Sequence, residues 1–217
     1  MYYFELKDVS PHLSDIIGED RVKFLQNKKA DKVLILIDAG FYIADVGLYL
    51  TDIPQINNKK VGYIGVIHAL TEKLSKEDTI ALISFCENYF KQNKIQIIVT
   101  PLDRDTWSEY RCKTYTQLST PFFGEPQENY FNAFNSLNYK KGYKYFSISS
   151  NNELKPEKEI KDINFRLVTN ETLNSDIESI FELSTNEFKD NLFYGEISKE
   201  VFIEQYTKLF YGLNPVI

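Results

Sequence analysis

A chain of 217 residues with 43% apolar side chains carries enough apolar surface to bury a core, which excludes an intrinsically disordered protein. A formal net charge of −6, from 31 acidic against 25 basic side chains, argues against a nucleic-acid-binding surface, which needs clustered Lys and Arg. Two cysteines, Cys86 and Cys112, make no disulfide framework and no zinc-ligand spacing, and no apolar run reaches the roughly 20 residues that cross a bilayer. With Glu5, Asp8 and Asp15 standing where a signal peptide would be basic and then apolar, a cytoplasmic protein with reduced thiols and no membrane partner is expected.

Tyr2 to Leu6 is a short β-prone run, and a helical stretch with Ile16, Ile17, Val22, Phe24 and Leu25 follows, its elements kept short by Pro11 and Gly18. Val33 to Ile37 is a β-branched and aliphatic run that the Asp38-Ala39-Gly40 turn signal ends, and Phe41 to Leu50 is its return strand. Val61 to His68 reads as a third strand with two internal glycines, which mark a bulge or a close approach by another backbone or a ligand. Ser75-Lys76-Glu77-Asp78 resembles a capping box, and Ile80, Ile83, Phe85 or Cys86, Tyr89 and Phe90 recur behind it at helical spacing over about four turns. Ile95 to Val99 is then a strand parallel to the third, because a right-handed helical crossover joins them, whereas the first three strands have short links and pair antiparallel.

Asp105 to Arg111 reads as a short helix or turn. A helix beginning near Pro126 buries Tyr130, Phe131, Phe134 and Leu137, and Tyr143 to Ser149 adds another strand. Residues 151–163 are polar and charged and read as a linker. Beyond it Phe165 to Val168 reads as a strand, Ser175-Asp176-Ile177-Glu178 as a capping box, and Ser198 as the cap of a second helix carrying Phe202, Ile203, Tyr206, Leu209 and Phe210.

This order of elements, with Thr100-Pro101 leading to Trp107 and Pro121-Phe122-Phe123 leading to Tyr130-Phe131, resembles the GNAT N-acetyltransferases, and in particular bacterial members built from two GNAT-like halves. The resemblance implies an α/β fold with a mixed sheet and helices on both faces. It implies an acyltransferase domain over residues 1–150, and in residues 164–217 the opening strand and helix pair of a second, incomplete half. It also implies acetyl-CoA as co-substrate and an amine as acceptor.

In that family the third strand offers its backbone to the pantetheine arm, here Ile64, Gly65, Val66 and Ile67, and a glycine-rich loop before the next helix holds the pyrophosphate. The corresponding loop, Ala69 to Asp78, has no glycine and three acids, which leaves Lys73, Ser75 and Lys76 as phosphate-side candidates. The family's general acid is a tyrosine on the penultimate helix; counting back from Asn138-Tyr139 gives Phe134, so Tyr130 one turn earlier is the available substitute, against a plain role as a core aromatic. His68 is the candidate base, since deprotonating an ammonium needs a group that titrates near neutrality, against a plain structural histidine at a strand end. Glu125 and Glu128 are alternative bases or amine-binding carboxylates, against plain solvated residues, and Trp107 with Tyr110 and Arg111 lines a substrate pocket or anchors a loop.

Two functions from different classes follow: an acetyl-CoA-dependent N-acetyltransferase acting on a primary amine, or a catalytically degenerate GNAT-fold binding or assembly module. The apolar faces of the last two helices are expected to be covered, by the first domain or by a second copy in a homodimer.

Overall fold

In the computed structural model the described residues are 2–70, 74–108, 110–112, 128–143, 166 and 168–213. They group by contact into two units, one of residues 1–142 with 192–195 and one of residues 143–191 with 196–217.

Among the described residues the first unit is built on a six-stranded mixed sheet. Strands β1 (Tyr2–Lys7), β2 (Lys32–Asp38), β3 (Phe41–Tyr49) and β4 (Val61–Ile64) are successive antiparallel neighbours. Beyond the end of β4, β5 (His68–Ala69) pairs antiparallel with β3, while β6 (Ile97–Val99) lies parallel to β4. The expected α/β architecture with a mixed sheet is therefore present. β2 reads as an unbroken apolar run because both of its faces are covered. Val33, Ile35 and Ile37 pack with Leu13, Ile17, Val22 and Leu25 on one face. On the other, Leu34 and Leu36 pack with Leu82, Ile83, Cys86 and Phe90, and with Tyr130, Ala133 and Phe134.

The helices start and stop for local reasons. A single 3-10 turn at Pro11–Leu13 and α1 (Ser14–Ile17) are separated from α2 (Glu19–Asn27) by Gly18, whose φ of +87° no side chain adopts cheaply. At the head of α3 (Lys76–Gln92), Ser75 Oγ accepts the Asp78 N–H at 3.0 Å, so Ser75 is the N-cap as expected, while the Asp78 carboxylate bonds the Ser75 hydroxyl rather than its backbone N–H. α4 (Glu128–Ser136) ends with left-handed Asn138, the Asn138 N–H donating to the Asn135 carbonyl at 3.1 Å and the Tyr139 N–H to the Phe134 carbonyl at 3.0 Å, a Schellman stop.

The second unit holds the helix pair α5 (Leu173–Phe188) and α6 (Lys199–Leu213). Phe202 is fully buried, meets Phe181 edge-on at 5.3 Å and stacks on Tyr206 at 4.1 Å. Lys199 and Glu178 close the pair at 3.2 Å. Ser198 caps α6 as expected, its Oγ accepting the Val201 N–H at 3.3 Å.

Two expectations differ. The strand read over Val61 to His68 is two strands separated by Gly65–Ile67. Helix α5 begins at Leu173 rather than at the Ser175 capping box, because Thr169 and Thr172 exchange side-chain bonds with each other's backbone N–H at 3.4 and 3.1 Å and set the turn earlier; Ser175 instead donates to the Thr172 carbonyl. Asp105 to Ser108 form bends and turns, one of the two forms expected of that segment. Of the Phe165 to Val168 strand only Arg166 and Val168 are described, and neither is in a strand. The Pro121 to Pro126 segment, the linker at 151–163 and all but Tyr143 of the strand at 143–149 lie outside the described residues. No helix among the described residues is long and apolar enough to cross a membrane.

Candidate functional site

The break between β4 and β5 organises the chemistry of the first unit. Ile64 pairs with Leu48 and His68 pairs with Asp45, so three residues, Gly65 to Ile67, face two residues of β3, Val46 and Gly47. That extra residue makes a bulge. The Gly65 N–H donates to the Gly47 carbonyl at 2.9 Å inside it.

His68 and Asp45, directly opposite across the β3–β5 pair, share a face of the sheet. Asp45 is fully buried: one carboxylate oxygen accepts Arg21 Nε at 2.8 Å, and the other accepts the Tyr42 hydroxyl at 2.6 Å and lies 3.4 Å from His68 Nδ1. Tyr42 and Asp45 are three residues apart and would lie on opposite faces of a regular strand. A register shift, with Leu36 opposite Ala44 but Ile37 opposite Tyr42, inserts Ile43 as a second bulge and turns both toward α2. The Tyr42 oxygen also lies 3.0 Å from His68 Nδ1. Since the Tyr42 hydrogen goes to Asp45, both oxygens facing Nδ1 accept, which assigns the ring proton to Nδ1 and leaves the Nε2 lone pair free. The His68 side chain is 47% exposed, so a solute can reach that nitrogen.

Charge and burial tune this cluster. Burial works against the Arg21 guanidinium, but Asp45 and Asp103 outweigh it and hold its pKa above the ordinary arginine value. Burial first, then Asp45, raises the Tyr42 phenol and keeps it protonated. Tyr130 on α4 is buried and donates to the Ile67 carbonyl at 3.2 Å, beside His68. Burial, then Cys112 and Asp45, push its phenol up to about 12. The structure thus brings His68 and Tyr130 to the same bulge, while Phe134 stays in the core.

Asp103 closes the other side of the bulge. After β6 the chain passes through the Thr100–Pro101 cis peptide, and the Leu102 N–H donates to the Ile64 carbonyl at 2.9 Å. The buried Asp103 carboxylate then accepts the Tyr49 hydroxyl at 2.9 Å and the Val66 N–H at 3.2 Å. Burial raises its pKa, while Arg21, Tyr49, the Val66 N–H and Lys28 pull the other way. Gly47 is required here, since a Cβ would stand 2.8 Å from Leu25 and 2.9 Å from the Tyr49 hydroxyl; at Gly65 a Cβ would meet Asp103 Oδ1. Lys28 pairs with buried Asp105 at 3.0 Å nearby.

The backbone groups named from sequence for acetyl-CoA are therefore already engaged: the Ile64 and Ile67 carbonyls accept from Leu102 and Tyr130, and the Gly65 and Val66 N–H groups donate to Gly47 and Asp103. Arranged in this way, they do not fit a pantetheine arm. At the α3 terminus, Ser75 Oγ bonds both the backbone N–H and the carboxylate of Asp78, which uses the hydroxyl otherwise open to a phosphate. Lys76 is the first residue of α3, and Lys73 lies outside the described residues. Trp107 donates its indole N–H to the Gly195 carbonyl at 2.7 Å, as a loop anchor does, and Arg111 donates to the Tyr110 hydroxyl at 3.0 Å. Glu125 is outside the described residues, and the Glu128 side chain is not described.

Arg21, Tyr42, Asp45 and Asp103 were not singled out from sequence. Asp45 carried a usable signal, a lone acid within a strand whose neighbours Ala44 and Val46 are core residues. The His68 contact depends on two bulges that no spacing rule reveals.

No protein-family model and no curated protein matches the chain. Among solved structures it is similar to a ribosomal-protein-alanine N-acetyltransferase from Brucella melitensis, at 13% identity and a TM-score of 0.42 over 69% of this chain and 100% of that one. It is also similar to a predicted acetyltransferase with acetyl-CoA from Clostridium acetobutylicum, at 12% and 0.40 over 69% and 96%. An aminoglycoside N-acetyltransferase in complex with CoA matches at 9% and 0.40 over 70% and 95%. Likeness at this level does not assign an activity.

Proposed function

We propose that the first unit is an N-acetyltransferase of the GNAT layout that moves an acetyl group from acetyl-CoA to a primary amine of a small molecule or a protein. The observation that carries this reading is the half-exposed His68 imidazole held at the bulge by a fully buried carboxylate. In it, His68 Nε2 takes the proton that an ammonium must lose to become a nucleophile. Asp45, fixed by Arg21 and Tyr42, keeps the proton on Nδ1 and stabilises the imidazolium that results. Tyr130, protonated at neutral pH, is the acid of the site. In this reading the protein works in the cytoplasm, as a homodimer through α5 and α6.

A second reading, a GNAT-fold binding or assembly module without catalysis, is favoured by one observation: the Ile64 to Ile67 backbone groups are bonded internally. Calorimetric titration with acetyl-CoA, with desulfo-CoA as comparison, separates the two. Saturable micromolar binding, followed by turnover of an amine panel that His68→Ala abolishes, supports the transferase. No binding up to millimolar ligand leaves the module.

A further inference from the structure

The residues Leu192–Gly195, between α5 and α6, group by contact with the first unit, although the chain on both sides of them belongs to the second. The Phe193 ring meets buried Tyr63 of β4 edge-on at 5.8 Å, and the Tyr194 ring meets Trp107 edge-on at 5.8 Å. The Gly195 carbonyl accepts the Trp107 indole N–H at 2.7 Å. Against Gly195 stands buried Asp105, whose Oδ1 accepts Lys28 Nζ and the Trp107 backbone N–H, both at 3.0 Å. Lys28 in turn caps the C-terminus of α2, the helix that carries Arg21.

We infer that Leu192–Gly195 is a latch, a strap that closes on the first unit through Gly195 and Trp107 and opens by local release while the sheet stays folded. Its fit is specific. At Gly195 a Cβ would stand 2.7 Å from Asp105 Cβ and 3.1 Å from Asp105 Oδ2, and the Gly195 backbone is not left-handed, so contact alone excludes a side chain there. Its hold is shallow. Phe193, Tyr194, Gly195 and Trp107 are only half-buried and Leu192 is 45% exposed, whereas Val33 to Leu36 of β2 are buried, so the strap lifts by wetting far less surface than the sheet must expose to unfold. Its backbone favours release. Phe193 has a φ of +62°, a left-handed conformation that a bulky residue keeps only where its contacts impose it. Closed, the latch keeps the Lys28–Asp105 pair dry and holds the end of α2; open, it uncovers that pair and the edge of Tyr63.

Trp107 is the one tryptophan of the chain, so its indole N–H gives a single resonance that reports the latch directly. In the full wild-type chain that N–H should exchange with solvent at least about tenfold faster than the backbone amides of β2, and at least about tenfold slower than a free indole. Gly195→Ala, whose methyl Asp105 opposes, should speed the exchange about tenfold further and shift Trp107 emission to the red, with the amides of β2 and β3 unchanged. A wild-type indole N–H that exchanges only as fast as the β2 amides, or as fast as a free indole, overturns the inference. Unchanged exchange in Gly195→Ala overturns it too, as does an equal acceleration of the β2 and β3 amides. Should Gly195→Ala fail to fold, Phe193→Ala, which removes the ring on Tyr63, decides by the same criteria.

Discussion

Asp45 shows what a single carboxylate inside a covered strand demands. With no exposure it must find charged or hydrogen-bonding partners, and it has Arg21, Tyr42 and His68. The two ends of this cluster should respond differently to mutation. His68→Ala removes a half-exposed ring, so thermal stability should change little while kcat/KM for the amine falls about a hundredfold or more, measured by thiol release across an amine panel. Asp45→Asn takes from the Arg21 guanidinium, whose side chain is 11% exposed, the counter-charge that it bonds directly. It should cost roughly 3 kcal/mol in denaturant unfolding. A near-neutral effect would mean that Arg21 finds another partner. Asp103 supplies a pH signature. Its folded pKa is raised above the ordinary carboxylate value, so between the two values the folded protein holds more protons than the unfolded chain, and its contribution to stability falls as pH rises through that window. Denaturant midpoints followed upward from the ordinary carboxylate range should therefore decline more steeply for wild type than for Asp103→Asn, and parallel profiles would refute the assignment.

At the scale of elements, the regular pieces were legible because their signals are local. The β2 run, the Ser75 cap and the Gly18 break each depend on a few neighbouring residues, and each stands where the sequence put it. The single strand over Val61 to His68 was misread because its interruption is caused from far along the chain. Asp103 contacts Gly65 and bonds Val66, and nothing in the local pattern announces a partner 37 residues away. The glycine pair did signal close approach, but the approaching groups are the protein's own: Phe90 and Ile95 at 3.2 Å from a Cβ on Gly62, and Asp103 at Gly65. Likewise the α5 start was lost to a Thr169–Thr172 turn that competes with a stronger-looking cap. Gly65→Ala tests the bulge as an element. Its methyl must push the carboxylate away from Val66, leaving a partly buried amide unsatisfied at about 1–3 kcal/mol, measured by denaturant unfolding. An Asp103→Ala background, where the space is empty, should remove most of that cost, and an undiminished cost would place the strain elsewhere.

For the whole molecule, the question is what the second unit is for. Its helix pair has one well-made contact layer, Phe181 and Tyr206 around buried Phe202, with Lys199 and Glu178 beside it. One turn apart on α5, however, Ile180 and Leu183 remain 41% and 62% exposed. Two large aliphatic side chains at i and i+3 on one helix are the unit of helix–helix packing, and burying each stabilises an interface by about 1.5–3 kcal/mol before association costs are met. A helix that presents them to water is better satisfied against an identical helix, because a two-fold axis brings the same residues together from both sides. The expected outcome is a dimer by light scattering that Leu183→Glu converts to monomer with helix content unchanged, since two buried like charges would face each other across the axis. Amide exchange should show α5 losing protection in the monomeric variant while β2 and β3 keep theirs, because the sheet carries its own core on both faces. A wild type that is monomeric at high concentration would rule out this role for α5, and protection lost from the sheet as well would mean that the two units fold as one cooperative body.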